Sequence, residues 1–399
     1  MGYSNLKSRL YDFLYYLSLT LYLIGRFCEY TIWAEEYGNV FSGLKDCAYL
    51  ILLVCVIVTF FEIMLSQRSR LRTRMLPLII LEAAFLIYAL RIDVRAGFVC
   101  MSYSICSIKI DKKKMYRYIM FLLVFLLATG IVGGMENIRT VNRMIGNTRT
   151  RLSFAFVHPY TMQVLWMSVV SCGIIINEKF RISYMINMSL VAIMLHLVGG
   201  TRSAFICTEL LLVFGYFYRH DRRKHGRRIH MRGSAFALRH IFTILFVINN
   251  GLCLSMAFKD SPWLQRVDYL FTGRLSITVR YFKGICKEMV PLFPVSKDVN
   301  LREWALGSYV LDSAYSQLLF GYGLIYSIMI LCLLHRIMER AMELHLWSVV
   351  MVFVAIAFNS MMEPTILSIL YNPGILLCIP ILIANNKYPL ALKAKTVEG

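Results

Sequence analysis

Acidic residues are scarce in this chain. Its 399 residues hold 23 Asp and Glu against 43 Lys and Arg, and charged residues of both signs make up only 17%. Soluble domains carry about 25% charged and roughly 45–50% apolar residues. Here the apolar share is 58% and the mean hydropathy +0.61, which excludes an ordinary water-soluble domain. No cysteine pair has CxxC spacing. Most of the 11 cysteines, Cys55, Cys106, Cys172, Cys207, Cys253, Cys332 and Cys378 among them, fall in apolar runs, so neither a zinc site nor a disulfide framework is indicated. There is no P-loop, no GxGxxG ahead of a helix, no HExxH, no tandem repeat and no low-complexity linker. The first apolar run, which follows Lys7 and Arg9, lacks a short core ending at small residues and reads as an uncleaved anchor.

What is present is a series of apolar runs. A hydrocarbon layer of ~30 Å is crossed by roughly 17–25 helical residues. By that measure hydropathy and breaks predict twelve spans: 9–28, 46–65, 75–91, 96–109, 116–134, 158–176, 182–199, 202–218, 240–258, 313–334, 345–361 and 365–385. The fourth is short and rich in serine, and Asn372-Pro373-Gly374 is expected to kink the last. The run from Ile182 to Tyr218 is 37 residues long and holds two charged residues, Arg202 and Glu209, and one histidine, His196. That length fits two spans. "GGTR" (199–202) then forms the turn, which spares Arg202 the cost of about 2.5–3.5 kcal/mol for a mid-membrane position.

Lys and Arg favour cytoplasmic loops. With the N-terminus inside, they divide 26 inside to 9 outside once the long 259–312 loop, with its 8, is set aside. The expectation is an all-α, polytopic membrane helix bundle, a single domain over 1–399 with about twelve spans and both termini cytoplasmic. Segment 219–239 is a basic cytoplasmic loop whose cluster "RHDRRKHGRRIHMR" reads as a contact with anionic lipid and not with nucleic acid. Segment 259–312 is a long outer loop, with a short membrane-surface helix expected within 275–293.

Several arginines stand on the side that the charge rule disfavours. Arg139, Arg143, Arg149, Arg151 and His158 lie in 135–160, Arg202 sits at its turn, and Arg274, after Thr272-Gly273, and Arg280 lie in the long loop, which closes at Asp312. A guanidinium fork matches two oxygens of a phosphate. Outer basic pockets flanked by Tyr, Trp and Phe suit a lipid-linked sugar phosphate. Glu363, in the turn "MMEPT", is expected to face the same region or to start a helix.

Four motifs, in order, resemble the bacterial O-antigen ligase/polymerase superfamily, and most closely the Wzy-type polymerases of capsule and exopolysaccharide synthesis. They are "RLSFAFVHPYTMQVL" (151–165), "GGTRSAFI" (199–206), "LFTGRLSI" (270–277) and "LDSAYSQLLFGYGLIYSI" (311–328). They cover about 50 residues. The chain departs from the family pattern at Ala155 (usually Gly), Tyr160 (usually Asn) and Ser313 (usually Asn). Where the ligases carry a histidine eleven residues before Gly323, this chain has Asp312, and the long loop holds no histidine. The departure argues for a polymerase over a ligase-type glycan transferase.

The resemblance implies a metal-independent membrane glycosyltransferase of the bacterial plasma membrane that needs no cofactor. Its substrates are oligosaccharide repeat units on undecaprenyl diphosphate, and a chain-length regulator and a flippase of the same pathway are implied partners. By that likeness Arg202 and Arg274 clamp the diphosphate, Asp312 is the general base, and Arg149, Arg151, His158, Arg280 and Tyr315 bind substrate. Arg151, Arg202 and Arg274 are expected to converge on one diphosphate. The rival from another class is a flippase or exporter of the lipid-linked unit.

Overall fold

A computed structural model describes residues 2–65, 69–92, 95–135, 140–141, 151–176, 182–225, 235–259, 261–271, 273–293 and 311–384. Its helices run in the order α1 (Gly2–Cys28), α2 (Trp33–Leu65), α3 (Ser69–Ile92), α4 (Arg95–Cys106), α5 (Lys112–Val132), α6 (Tyr160–Ile176), α7 (Ile182–Gly199), α8 (Ser203–His225), α9 (Ala235–Arg239), α10 (Ile241–Phe258), α11 (Pro262–Leu270), α12 (Arg274–Gly284), α13 (Ala314–Ser316), α14 (Leu324–Glu343), α15 (Trp347–Asn359) and α16 (Cys378–Ile383). Among the described residues the strands are two of two residues each, β1 (Thr140–Val141) and β2 (Arg151–Leu152), joined antiparallel, and an isolated bridge links Thr31 to Phe156.

Among the described residues four helices, α2, α5, α7 and α10, are long and apolar enough to cross a membrane. The outward side chains agree with that. On α2, Leu50, Val54 and Phe61 are each at least half exposed, a surface that water would not tolerate and lipid accepts. α4 is only 12 residues long, about 18 Å. Its serines are buried and bonded: Ser102 donates to Glu82, and Ser104 to the carbonyl of Leu376. Satisfied hydroxyls let so polar a segment sit inside the protein.

The chain forms two compact units. The first comprises 1–83, 98–228 and 369–399. In it α1 and α2 make an antiparallel hairpin, fixed where Ser18 donates to the carbonyl of Ala48 at 2.8 Å. α6 is buried along nearly its whole length. Its neighbour α7 is tied on by the Trp166 indole, which donates to the carbonyl of Met188 at 3.0 Å.

The span expected over 365–385 is not one helix. Residues 364–372 are irregular, a 3-10 turn covers Pro373–Leu377, and α16 has six residues. Pro364, Pro373 and Pro380 each lack the N–H that a continuing helix needs. The Tyr116 hydroxyl binds the carbonyl of Pro373 at 2.9 Å, supplying one of the partners that this irregular backbone requires.

The second unit comprises 84–97 and 229–368. α10, α12 and the start of α14 pack around a core that includes Ala257, Tyr281, Phe282, Leu311 and Phe320, and α13 and α15 pack against α10. The span expected over 313–334 is broken. α13 is followed by a π-helical turn, Gln317–Gly321, and α14 starts only at Leu324. Gly323 takes φ +89, and a Cβ there would stand 2.6 Å from the backbone of Phe293. That close approach lets the carbonyls of Pro291 and Leu292 accept from the N–H groups of Leu324 and Ile325, donors that a helix start leaves without partners.

The helix expected within 275–293 is α12, Arg274–Gly284. α12 buries Leu275, Thr278, Tyr281 and Phe282 and belongs to the core. A second amphipathic helix of the same loop, α11, buries Leu264 and Asp268 and turns Trp263, Tyr269 and Leu270 outward.

Candidate functional site

The second unit holds a charged cluster built around the start of α12. Gly273 precedes the helix at φ +81, a left-handed conformation that costs any residue with a Cβ roughly 1–2 kcal/mol. Asp268, buried on α11, then caps α12. Its Oδ1 accepts from the N–H of Leu275 at 2.9 Å and of Ser276 at 3.2 Å, and its Oδ2 accepts from the Ser276 hydroxyl. A carboxylate at a helix N-terminus meets two unpaired donors and the positive end of the dipole. The cap sets the direction in which Arg274, the first residue of α12, leaves the backbone.

Arg274 lies between two carboxylates. Its Nη2 donates to Glu363 Oε1 at 2.8 Å, and its Nε stands 3.7 Å from Asp312 Oδ2. The Glu363 side chain is 4% exposed and that of Asp312 is 35% exposed, so the first pair is shielded from water and the second is not.

One junction explains how residues distant in sequence meet here. The carbonyl of Ser360, just past α15, accepts from the N–H of Ala314 at 2.9 Å and from the Ser313 hydroxyl at 3.2 Å. The N–H of Glu363 donates to the carbonyl of Asn359 at 2.9 Å. Asp312 and Glu363 are therefore carried by the two chain segments that meet at one hydrogen-bonded corner.

Beneath the cluster runs a buried polar seam. Asn249 donates to the Ser316 hydroxyl at 3.0 Å, Asn250 to the carbonyl of Tyr315 at 3.2 Å, and Thr278 to the carbonyl of Arg274 at 3.1 Å. Bonded polar groups inside a core hold one arrangement against alternatives, because any slip leaves a buried group unsatisfied.

The other residues singled out in the sequence fall as follows. Tyr315 is fully buried, and its hydroxyl donates to the carbonyl of Ala357 at 2.9 Å, which joins α13 to α15. Arg280 is exposed, on a different face of α12 from Arg274. Arg202, Arg151 and His158 belong to the first unit. Arg202 is exposed at the turn from α7 to α8. Arg151 opens β2, opposite Val141. His158 is exposed and its ring stacks on that of Tyr160 at 5.7 Å. β2 packs against α7, and the carbonyl of Pro159 stands 3.3 Å from where a Cβ on Gly199 would lie, so the backbone beside His158 meets the end of α7. Arg139, Arg143 and Arg149 lie outside the described residues.

The residues that sequence reasoning undervalued are Glu363 and Asp268. Their signal was present but faint: each is an acid in a chain that has few, and Glu363 is the lone acid of segment 347–384.

Chemically the cluster offers a fixed cation and two proton acceptors at one place. A guanidinium can stabilise developing negative charge, and a carboxylate can take a proton from an attacking hydroxyl. Comparison of the chain with family models, with curated proteins and with solved structures returns no match.

Proposed function

We propose that this chain is a polysaccharide polymerase. In this reading it joins oligosaccharide repeat units carried on undecaprenyl diphosphate, at the outer face of the bacterial plasma membrane, through about twelve spans with both termini cytoplasmic. The observation that carries the reading is Arg274, held within reach of both Glu363 and Asp312 in a unit built of apolar helices. The four motifs that resemble the O-antigen ligase/polymerase superfamily add to it, since two of them, "LFTGRLSI" and "LDSAYSQLLFGYGLIYSI", contain Arg274 and Asp312.

The reaction is a displacement at the anomeric carbon of the donor glycan. A hydroxyl at the non-reducing end of the acceptor unit attacks, the new glycosidic bond forms, and undecaprenyl diphosphate leaves. Negative charge gathers on the leaving diphosphate, where a preorganised guanidinium lowers the barrier. The hydroxyl proton passes to a carboxylate, for which Asp312 is the better exposed of the two. Glu363 holds the guanidinium from the buried side. On the first unit, Arg202, Arg151 and His158 are candidate contacts for substrate phosphate and sugar.

The test is the fate of the repeat unit in cells that lack the protein. A polymerase deletion leaves single units at the cell surface or on outward-facing lipid, with no polymer. Units trapped on the cytoplasmic side would instead assign the chain to transport.

A further inference from the structure

α7, in the first unit, is the least buried of the four helices that can cross a membrane. Of its residues only Ala192, Leu195 and Gly199 are buried. Its exposed side has an order that contact with lipid does not require. Ser183, Asn187, Leu190, Met194 and Leu197 are all exposed, and they follow one another at steps of four, three, four and three residues. That is a heptad repeat, the spacing by which two helices stay in contact along one seam. Asn187 and Met194 occupy one core position of the repeat, and Ser183, Leu190 and Leu197 occupy the other. The seam is about 21 Å long, most of the depth of a hydrocarbon layer.

Lipid accounts for the apolar members of this stripe and not for Asn187. The residue lies five positions into α7, about 7.5 Å along its axis. An amide exposed there meets hydrocarbon, which offers it no hydrogen bond. α2 gives the contrast, since every exposed residue from Leu50 to Leu65 is apolar.

Two copies of one chain insert in a membrane with the same orientation, so their α7 helices run parallel. About a two-fold axis along the membrane normal, each seam position then meets its own counterpart. An Asn side chain suits that meeting, because it carries both N–H donors and a carbonyl acceptor and can pair with itself. In parallel coiled coils a single Asn at this core position fixes register and oligomer state, and leucine at the other position favours two strands. We propose that the α7 seam is a homodimer interface, in which Asn187 of one protomer hydrogen-bonds the partner subunit's Asn187 at equal depth in the membrane. The proposal needs α7 to cross the membrane and is independent of the polymerase reading.

The test uses full-length protein fused at its C-terminus to a donor or an acceptor fluorophore. The two forms are mixed in liposomes and diluted with lipid. Wild type should show energy transfer that falls as lipid is added. Asn187→Leu should dissociate at least about fivefold more readily, since leucine gains nothing from a partner helix that lipid does not already supply. Asn187→Gln, which keeps the amide, should recover part of the association. A second measurement does not depend on removing the amide. Leu190→Cys and Leu197→Cys, on the seam, and Val191→Cys, off it, are oxidised in liposomes beside wild type, whose native cysteines all lie outside α7. Disulfide-linked dimer should exceed the wild-type background at 190 and 197 and match it at 191.

Absence of energy transfer in wild type at every lipid dilution would overturn the proposal and leave lipid, or a helix of another protein, as the cover of this face. Equal dissociation of wild type and Asn187→Leu, or cross-linking as strong at 191 as at 190 and 197, would overturn it as well. Polymer formation plays no part in either readout, so these failures would not bear on the polymerase reading.

Discussion

At the scale of single residues, Arg274 owes its direction to two neighbours that do no chemistry. Gly273 supplies a backbone angle of +81°, and Asp268 caps the helix that follows. A Cβ at position 273 would meet nothing within 4 Å, so a substitution there acts through the backbone alone. Gly273→Ala should cost about 1–2 kcal/mol, and Gly273→Asn less, since Asn enters the left-handed region more readily. Thermal unfolding in detergent checks the order: glycine most stable, then asparagine, then alanine.

A second residue sets a pH boundary. Cys286 is buried, and burial pushes its thiol from the ordinary 9.0 up to about 11. Protonated thiol is therefore the folded form through neutral pH. Its stabilising contribution is complete below pH 9.0 and is lost as pH rises through about 11. The thiolate is the reactive form. Alkylation of Cys286 at pH 8, followed by mass spectrometry, should be negligible in folded protein and complete after denaturation.

At the scale of elements, the legible parts of the chain were those with a local cause. The Gly-Gly turn between α7 and α8 was readable because glycine leaves helical geometry easily, and α7 ends at Gly199 as the spacing implied. The broken start of α14 was not readable. The break at Gly323 depends on the backbone of Phe293, and a chain-distant contact of that kind leaves no periodic signature. The last span differs from its expected form for a related reason. Hydropathy over 365–385 is high, but the prolines at 364, 373 and 380 together decide the backbone, where Asn372-Pro373-Gly374 alone predicts no more than a kink. Neither does spacing tie Glu363 to Arg274, since the pair is 89 residues apart and the Ser360 corner that joins them is a tertiary feature.

The seam below the cluster belongs to this scale as well. Asn249 bonds Ser316 across α10 and α13, so Asn249→Ala should leave the serine hydroxyl without that partner in a buried place, at a cost of about 1–3 kcal/mol. The measurement is the unfolding midpoint, with Arg274→Lys as a comparison that leaves the seam intact.

At the scale of the whole molecule, composition spoke most clearly. An apolar share of 58% with only 17% charge leaves little choice of solvent, and α2, α5, α7 and α10 each have the length and apolarity to cross a membrane. The proposed twelve-pass topology makes a direct prediction. Phosphatase fusions placed within 259–312 should be active outside the cytoplasm, and fusions within 219–239 should be inactive. The reverse pattern would turn the Arg274 cluster toward the cytosol and remove it from the proposed reaction.

The central claim is that the guanidinium of Arg274, bracketed by Glu363 and Asp312, is where glycan is joined. The most direct measurement supplies purified lipid-linked repeat unit to the protein in nanodiscs and resolves product length on a gel. Wild type should give a ladder of polymer. Arg274→Lys, which keeps the charge but cannot reach two carboxylates with a planar fork, should leave single units, with yield reduced by at least about tenfold. A ladder of unchanged length and yield from Arg274→Lys would contradict the account.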